Sequence, residues 1–402
     1  MEFTQKGLIT TLHDYGQDIG WQKEELESIR RTCSIVIPML YSEIKRPALR
    51  NILNHLNKCK YLDNIVVSLK AKNREEFRNT AKFYNKRLSI PHTILWNNSP
   101  RITKILEGLK KEDINVSDLA GKGRDMWVGL GVASLDSYAI GLIDADVTTF
   151  TDALPTKLLF PLMSPKLDFF FNKAYYSRIG DKEMKMYGRV FRLFVSPFLD
   201  SLKEKLGRRS LFLEYLDSFK YTLSGEFSLT GDLALNIRVP GDWGVEVGML
   251  TEVFRNASPK RVCQTDMGFH DHKHRKIGDR KIGLVKMAGD IEKSLLRSLV
   301  EMEGVDVSKS FLQSLQVLYG RFGEDYIYRY SGDSFFNTLN YDRHEEETIL
   351  RIFSNIILKA GNEYLQNPFG TLIPSWERVL SVYPTLRNDL KEAAEQDLKE
   401  VA

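Results

Sequence analysis

Two carboxylates one residue apart, Asp144 and Asp146, end the apolar run Tyr138-Ala139-Ile140-Gly141-Leu142-Ile143. Side chains at i and i+2 of an extended backbone share a face, so both carboxylates point the same way. Like charges held that close call for a cation between them. A divalent metal there can clamp a diphosphate and stabilise it as it departs. The same spacing also suits a turn or a helix cap, and the pattern alone leaves the two readings level.

Four other segments carry residue types suited to chemistry. In Gly121-Lys122-Gly123-Arg124, glycines let the backbone approach a phosphate, while Lys122 and a following helix N-terminus add positive potential. The full phosphate-loop pattern is missing, which speaks against ATP-driven chemistry of that type. Residues 266–275 hold three of the seven histidines. If the segment is extended, His270, His272 and His274 share a face with Lys273 and Arg275 between them, as a metal ligand, an anion site or a solvated loop. No cysteine pair accompanies them, against a structural zinc site. Gly188 precedes Arg189 and Val190 at an expected helix start, a place for a guanidinium to grip phosphate or carboxylate, or for an ordinary surface arginine. Glu246, in Trp243-Gly244-Val245-Glu246-Val247-Gly248, either complements a helix dipole or, buried beside a substrate, holds hydroxyls or acts as a base.

The elements that must position these residues alternate in the first part of the chain. Apolar strands are expected at 34–38, 64–69 and 92–96, with helices between them, including a charged one at 74–87. That succession implies βαβ units and a doubly wound, mostly parallel sheet. From 167 to about 275 the alternation loosens, with a strand at 168–176 and helices at 188–205 and 244–254. Beyond 282 the chain is helical, with stripes at Leu295, Leu296, Leu299, Val300 and at Ile349, Ile352, Phe353, Ile356. The expected plan is a leader over 1–30 with a helix near 23–31, a nucleotide-binding half over 31–165 and a second-substrate half over 166–281. A helical extension over 282–402 would serve packing or oligomer contacts.

The 402 residues are 43% hydrophobic and 27% charged, the profile of a globular protein of one larger domain plus an appendage. Lys and Arg number 57 against 53 Asp and Glu, a net +4, which argues against a nucleic-acid partner. Cys33, Cys59 and Cys263 are odd in number and lack ligand spacing, so buried thiols in a reducing cytoplasm are expected. Neither a signal peptide nor a membrane span is legible.

Taken in order, the motifs resemble one family, the glucosyl-3-phosphoglycerate synthases, which are retaining GT-A glycosyltransferases. The resemblance spans roughly residues 30–290. It rests on Val36-Ile37-Pro38-Met39-Leu40 with Glu43, Gly121-Lys122-Gly123, Asp144-Ala145-Asp146, Gly188-Arg189-Val190, Leu223-Ser224-Gly225-Glu226-Phe227, the Glu246 segment and His272. It implies a GT-A, Rossmann-like α/β fold with an acceptor-binding subregion and a helical C-terminal extension. The implied reaction moves glucose from GDP-glucose or UDP-glucose to the C2 hydroxyl of 3-phospho-D-glycerate, in a cytoplasmic homodimer, by front-face attack with the leaving phosphate taking the proton.

The resemblance also implies roles. Pro38, Met39, Leu40 and Glu43 hold the nucleotide, helped by Ser68 and Lys122; Asp144 and Ala145 meet the donor; Asp146 and His272 hold Mg²⁺ or Mn²⁺. Gly188, Arg189, Val190 and His274 meet the acceptor, and Glu246 stands near the transferred glucose. The sequence departs from the family in lacking the usual acidic run, with Tyr41-Ser42 before Glu43 and Ile44-Lys45-Arg46 after it, and at Phe191 and His274, where threonine and asparagine are usual. These departures leave a synthase acting on free D-glycerate, of glucosylglycerate or mannosylglycerate type, as an alternative. The cations Arg189, His270, Lys273, His274 and Arg275 favour a phosphorylated acceptor. A sugar-nucleotide pyrophosphorylase fits less well, because the segment after Pro38 lacks a glycine-rich basic loop.

Overall fold

The computed structural model describes residues 4–119, 121–180, 183–207, 210–271 and 283–401. After β1 (Thr10–Leu12) and α1 (Gly20–Ser28) come β2 (Cys33–Leu40), α2 (Pro47–Leu56), β3 (Asn64–Lys70), α3 (Arg74–Arg87), β4 (His92–Trp96), α4 (Pro100–Gly108), α5 (Lys122–Ala133), β5 (Ala139–Leu142) and α6 (Ala153–Met163). Ile35, Val36, Ile37, Ile65, Val66, Val67, Ile140 and Leu142 are completely buried, as strands covered on both faces must be. Local signals start the helices: Asn73 and Ser99 each accept a backbone N–H of the first turn, and Pro100 opens α4. Helix α5 lies close on the sheet because a Cβ at Gly129 would press into Val36 and Ser68.

Next come β6 (Phe171–Gly180), β7 (Lys185–Met186), α7 (Ser196–Leu206), α8 (Leu211–Ser218), β8 (Phe227–Thr230), α9 (Gly231–Asn236), β9 (Val239–Pro240), α10 (Val245–Asn256) and β10 (Val262–His270). The strand expected from 168 starts three residues later, since Asp168 turns the chain at φ +57. The helix expected from 188 is delayed in the same way. Gly188 sits at φ +72, and a turn of π-helix over Phe191–Val195 leads into α7.

The sheet order is β1-β10-β6-β8-β5-β2-β3-β4, with β7 attached to β6. Along that path every neighbouring pair is parallel except those made by β8, which runs opposite to β5 and β6. A mostly parallel α/β sheet is therefore present. Residues 10–12 of the expected leader form its outermost strand beside β10.

The extension consists of α11 (Gly283–Glu303), α12 (Lys309–Phe336), α13 (Arg343–Gln366), β11 (Leu372–Ile373), α14 (Trp376–Val382) and α15 (Leu386–Lys399). Helix α13 packs on both α11 and α12, α11 reaches α10 and α12 reaches α7, whereas α15 returns to β4, α4 and α5. The Trp376 ring stacks on Trp127 at 3.8 Å, and each indole N–H donates to a carbonyl of the other's segment. Cys33, Cys59 and Cys263 are buried free thiols. Among the described residues no helix is long and apolar enough to cross a membrane.

Candidate active site

The carboxyl edge of the parallel strands collects the chemically capable residues, where open α/β sheets bind ligands. The run ending in Asp144 and Asp146 leaves β5 there. Because β8 is antiparallel, with Phe227 opposite Leu142, its entry Ser224-Gly225-Glu226 arrives at the same edge. Gly225 lets the Asp144 carboxylate lie close against the backbone, since an added Cβ would push that carboxylate out of place. Two helix starts complete the group: Lys122 is the first residue of α5, and Glu246 lies in the first turn of α10. Gly123 packs so tightly on the Pro240 carbonyl that no side chain fits.

The Lys122 Nζ lies 2.8 Å from Asp144 Oδ1 and 3.4 Å from Glu246 Oε1. Burial disfavours its charge, but Asp144, Glu246 and Glu226 outweigh burial and hold its pKa above the ordinary lysine range. Asp146 behaves oppositely. Burial, reinforced by the charges of Asp144, Glu43 and Glu226, pushes its carboxyl up to about 6. Lys122 pulls the other way but does not outweigh these causes, so among the described residues the Asp146 charge is only partly balanced, and its oxygens fit a hard divalent ion. Among the described residues no group of three or more His, Cys, Asp or Glu is arranged to hold a metal. His272 and His274 lie outside the described residues.

Two neighbours of this cluster have no role assigned from the sequence: Glu226, seen there only within a motif, and Lys173. Glu226 is completely buried and accepts from the Tyr176 hydroxyl at 2.7 Å, while His270 stacks on the Tyr176 ring at 4.0 Å. Lys173, on β6, is buried with its Nζ donating to the Ser224 carbonyl at 2.9 Å. Burial brings it down to about 8 against the pull of Glu246 and Glu226. The available signal was a single charge inside Phe169-Phe170-Phe171-Asn172-Lys173-Ala174. Ser224 Oγ and Glu246 Oε2 are buried without a hydrogen-bond partner among the described residues, and such atoms suit a ligand's hydroxyls.

Pro38, Met39 and Leu40 close β2 at this edge, and Leu40 is exposed. The Met39 side chain faces inward, its sulfur accepting from the Tyr84 hydroxyl. Glu43, in the turn that follows, pairs with Arg46 at 3.2 Å. Ser68 is buried; its hydroxyl donates to the Asp125 carbonyl at 2.5 Å and accepts from Asn97 at 2.7 Å. Ala145 is buried between the two aspartates.

Gly188, Arg189 and Val190 lie past the end of β7. Phe191 meets Tyr221 edge-on at 5.1 Å, and Tyr221 meets Tyr176 at 5.3 Å. That aromatic path joins the Arg189 segment to Glu226. Val190 is buried, and Arg189 donates from Nη1 to Glu345 Oε1 of α13 at 3.0 Å.

No family model matches the chain. A glucosyl-3-phosphoglycerate synthase of Methanococcoides burtonii is 44% identical over 403 residues, covering 100% of this chain and 99% of the relative. Another of that name, from Persephonella marina, is 38% identical over 404 residues, covering 98% of each. Among solved structures, the Mycobacterium tuberculosis glucosyl-3-phosphoglycerate synthase in complex with Mn²⁺, UDP and phosphoglyceric acid aligns with a TM-score of 0.52 at 21% identity. The alignment covers 74% of this chain and 88% of that one. The Rubrobacter xylanophilus mannosyl-3-phosphoglycerate synthase aligns with a TM-score of 0.54 at 23% identity, covering 74% and 82%. These two likenesses concern the fold, which is the GT-A arrangement.

Proposed function

The chain belongs to the glucosyl-3-phosphoglycerate synthase family, and from that premise we propose that it transfers glucose, with retention, from a nucleoside-diphosphate glucose to the C2 hydroxyl of 3-phospho-D-glycerate. One observation carries the assignment to this site: Lys122 bridges Asp144 and Glu246 at the carboxyl edge, next to the half-buried Asp146. A cation and two helix N-termini suit a diphosphate, and Glu246 Oε2, unpartnered among the described residues, suits a sugar hydroxyl.

In this reading the backbone of Pro38, Met39 and Leu40, with Glu43 and the Ser68 strand, receives the nucleotide. Asp144 and Ala145 face the donor, and Lys122 turns toward its phosphates. Glu246, with Ser224, orients the glucose. Asp146 and His272 would hold Mg²⁺ or Mn²⁺, which when bound neutralises charge on the departing diphosphate. Arg189, with Gly188, Val190 and His274, holds the acceptor. The bond from glucose C1 to the β-phosphate oxygen breaks as the acceptor C2 oxygen bonds to C1 on the same face. The hydroxyl proton passes to the departing phosphate oxygen, which requires no protein nucleophile.

The direct test crosses UDP-glucose, GDP-glucose and the corresponding mannose donors with 3-phosphoglycerate and D-glycerate, reading product mass and kcat/KM. The expected product is a glucosyl-3-phosphoglycerate, with one of the two glucose donors preferred. A higher kcat/KM for D-glycerate, or a mannosyl product, overturns the assignment. The same reading places the enzyme in the cytoplasm as a homodimer. Val317, Tyr328, Phe335 and Phe336 on α12 are exposed, an apolar surface of the kind that contacts between subunits cover. Sedimentation velocity is expected to give twice the chain mass of 46.3 kDa, and a monomer at micromolar concentration rejects the dimer.

A further inference from the structure

The arginine assigned to the acceptor is already holding an anion. Each oxygen of the Glu345 carboxylate takes one cation: Oε1 accepts from Arg189 Nη1 at 3.0 Å, and Oε2 from Lys185 Nζ at 2.5 Å. One carboxylate shared between a guanidinium and an ammonium is the arrangement an acceptor's own carboxylate or phosphate would adopt with the same pair. Glu345 belongs to the helical extension. It is in the first turn of α13, where its backbone N–H donates to the Asp342 side chain.

The next residue shows what a permanent tie looks like in this fold. Glu346 binds Arg192 through both oxygens, at 2.8 and 3.0 Å, with the two side chains only 4% and 6% exposed. Arg192 also donates to the carbonyl of Tyr187 at 2.8 Å. That pair fixes the start of α13 against the turn after Gly188. Glu345 is different: it reaches Arg189 with one oxygen only, and its side chain is 34% exposed while Arg189 is 10% exposed. Its carboxylate can swing into solvent by side-chain rotation, with α13 still held by Glu346.

We propose that Glu345 is an internal stand-in for the acceptor, occupying Arg189 and Lys185 in the free enzyme and being displaced by the anionic end of 3-phosphoglycerate. The inference rests on the assignment of Arg189 to the acceptor. It makes Glu345 a specificity-determining residue of the extension: an entering molecule must outcompete a carboxylate, so neutral polyols gain nothing at this position. It also keeps the half-buried Lys185 and Arg189 neutralised until an anion arrives.

Three proteins, the wild type, Glu345→Gln and Arg189→Ala, decide the matter. Glu345→Gln keeps the side-chain shape and the capped helix start but removes the competing charge. It is expected to lower the KM for 3-phosphoglycerate roughly fivefold, the size of a half-exposed ion pair, with kcat and the donor KM unchanged. Calorimetric titration of 3-phosphoglycerate into the metal-free protein should show the same gain in affinity. Arg189→Ala is expected to raise that KM at least roughly tenfold. If Arg189→Ala has this effect and Glu345→Gln leaves acceptor affinity unchanged or weaker, Glu345 is a positioner and the stand-in is rejected while the acceptor assignment survives. If Arg189→Ala leaves the acceptor KM unaltered, both fall.

Discussion

Asp146→Ala is expected to lower metal-dependent glucose transfer by at least roughly a hundredfold and to leave the metal-free fold as stable as before, or more so. The two halves of this result have one cause. Asp146 is partly buried, close enough to Asp144, Glu43 and Glu226 to feel their repulsion, and its carboxyl is pushed up to about 6. Such a group costs folding free energy when ionised and repays it only when a cation is bound. Removing it relieves repulsion in the empty site and removes a ligand from the filled one. His272→Ala shares the catalytic loss in this scheme. The measurements are initial rates across a Mn²⁺ titration and the thermal midpoint of the metal-free protein. A variant that keeps wild-type rates at limiting metal excludes Asp146 as a ligand.

The sequence exposes the carboxylate pair because an apolar strand stops abruptly at Asp144, and helical spacing marks the neighbouring elements. It conceals residues whose meaning depends on strand order. Glu226 stands beside Asp144 only because β8, four residues long, runs against the sheet, and no periodicity announces so short a strand. Lys173 looks like a misplaced charge until the Ser224 carbonyl is found within reach of it. Glu345 lies in a helix whose stripe of Ile349, Ile352, Phe353 and Ile356 speaks of packing, and its partner Arg189 is 156 residues away in the chain. Glycines at positive φ, such as Gly188, are legible as turns but not as the reason a helix begins late. Local pattern identifies what can be buried and what can react, while the pairing of distant charges appears only in the fold.

Lys122→Met tests that pairing from the opposite side. Transfer is again expected to fall at least roughly a hundredfold, since a cation aimed at the donor's phosphates is gone, but here the fold loses stability. The Lys122 ammonium lies 2.8 Å from Asp144 and 3.4 Å from Glu246, and without it those carboxylates and Glu226 keep only the more weakly charged Lys173 as a nearby cation. Losing charge-assisted bonds of this kind costs about 2 kcal/mol, moderated because the Lys122 side chain is 24% exposed. The thermal midpoint should therefore drop where that of Asp146→Ala does not. Adding Asp144→Asn to Lys122→Met removes one stranded charge, so part of the lost stability returns while activity stays low. A midpoint for Lys122→Met equal to wild type would mean that the carboxylates are relieved by solvent and that Lys122 carries no structural charge balance. Wild-type transfer rates would remove it from the donor site. Lowered stability with lowered activity in Lys122→Met, set against unchanged or raised stability with lowered activity in Asp146→Ala, is the pattern expected of a site that supplies part of its positive charge itself and takes the rest from solution.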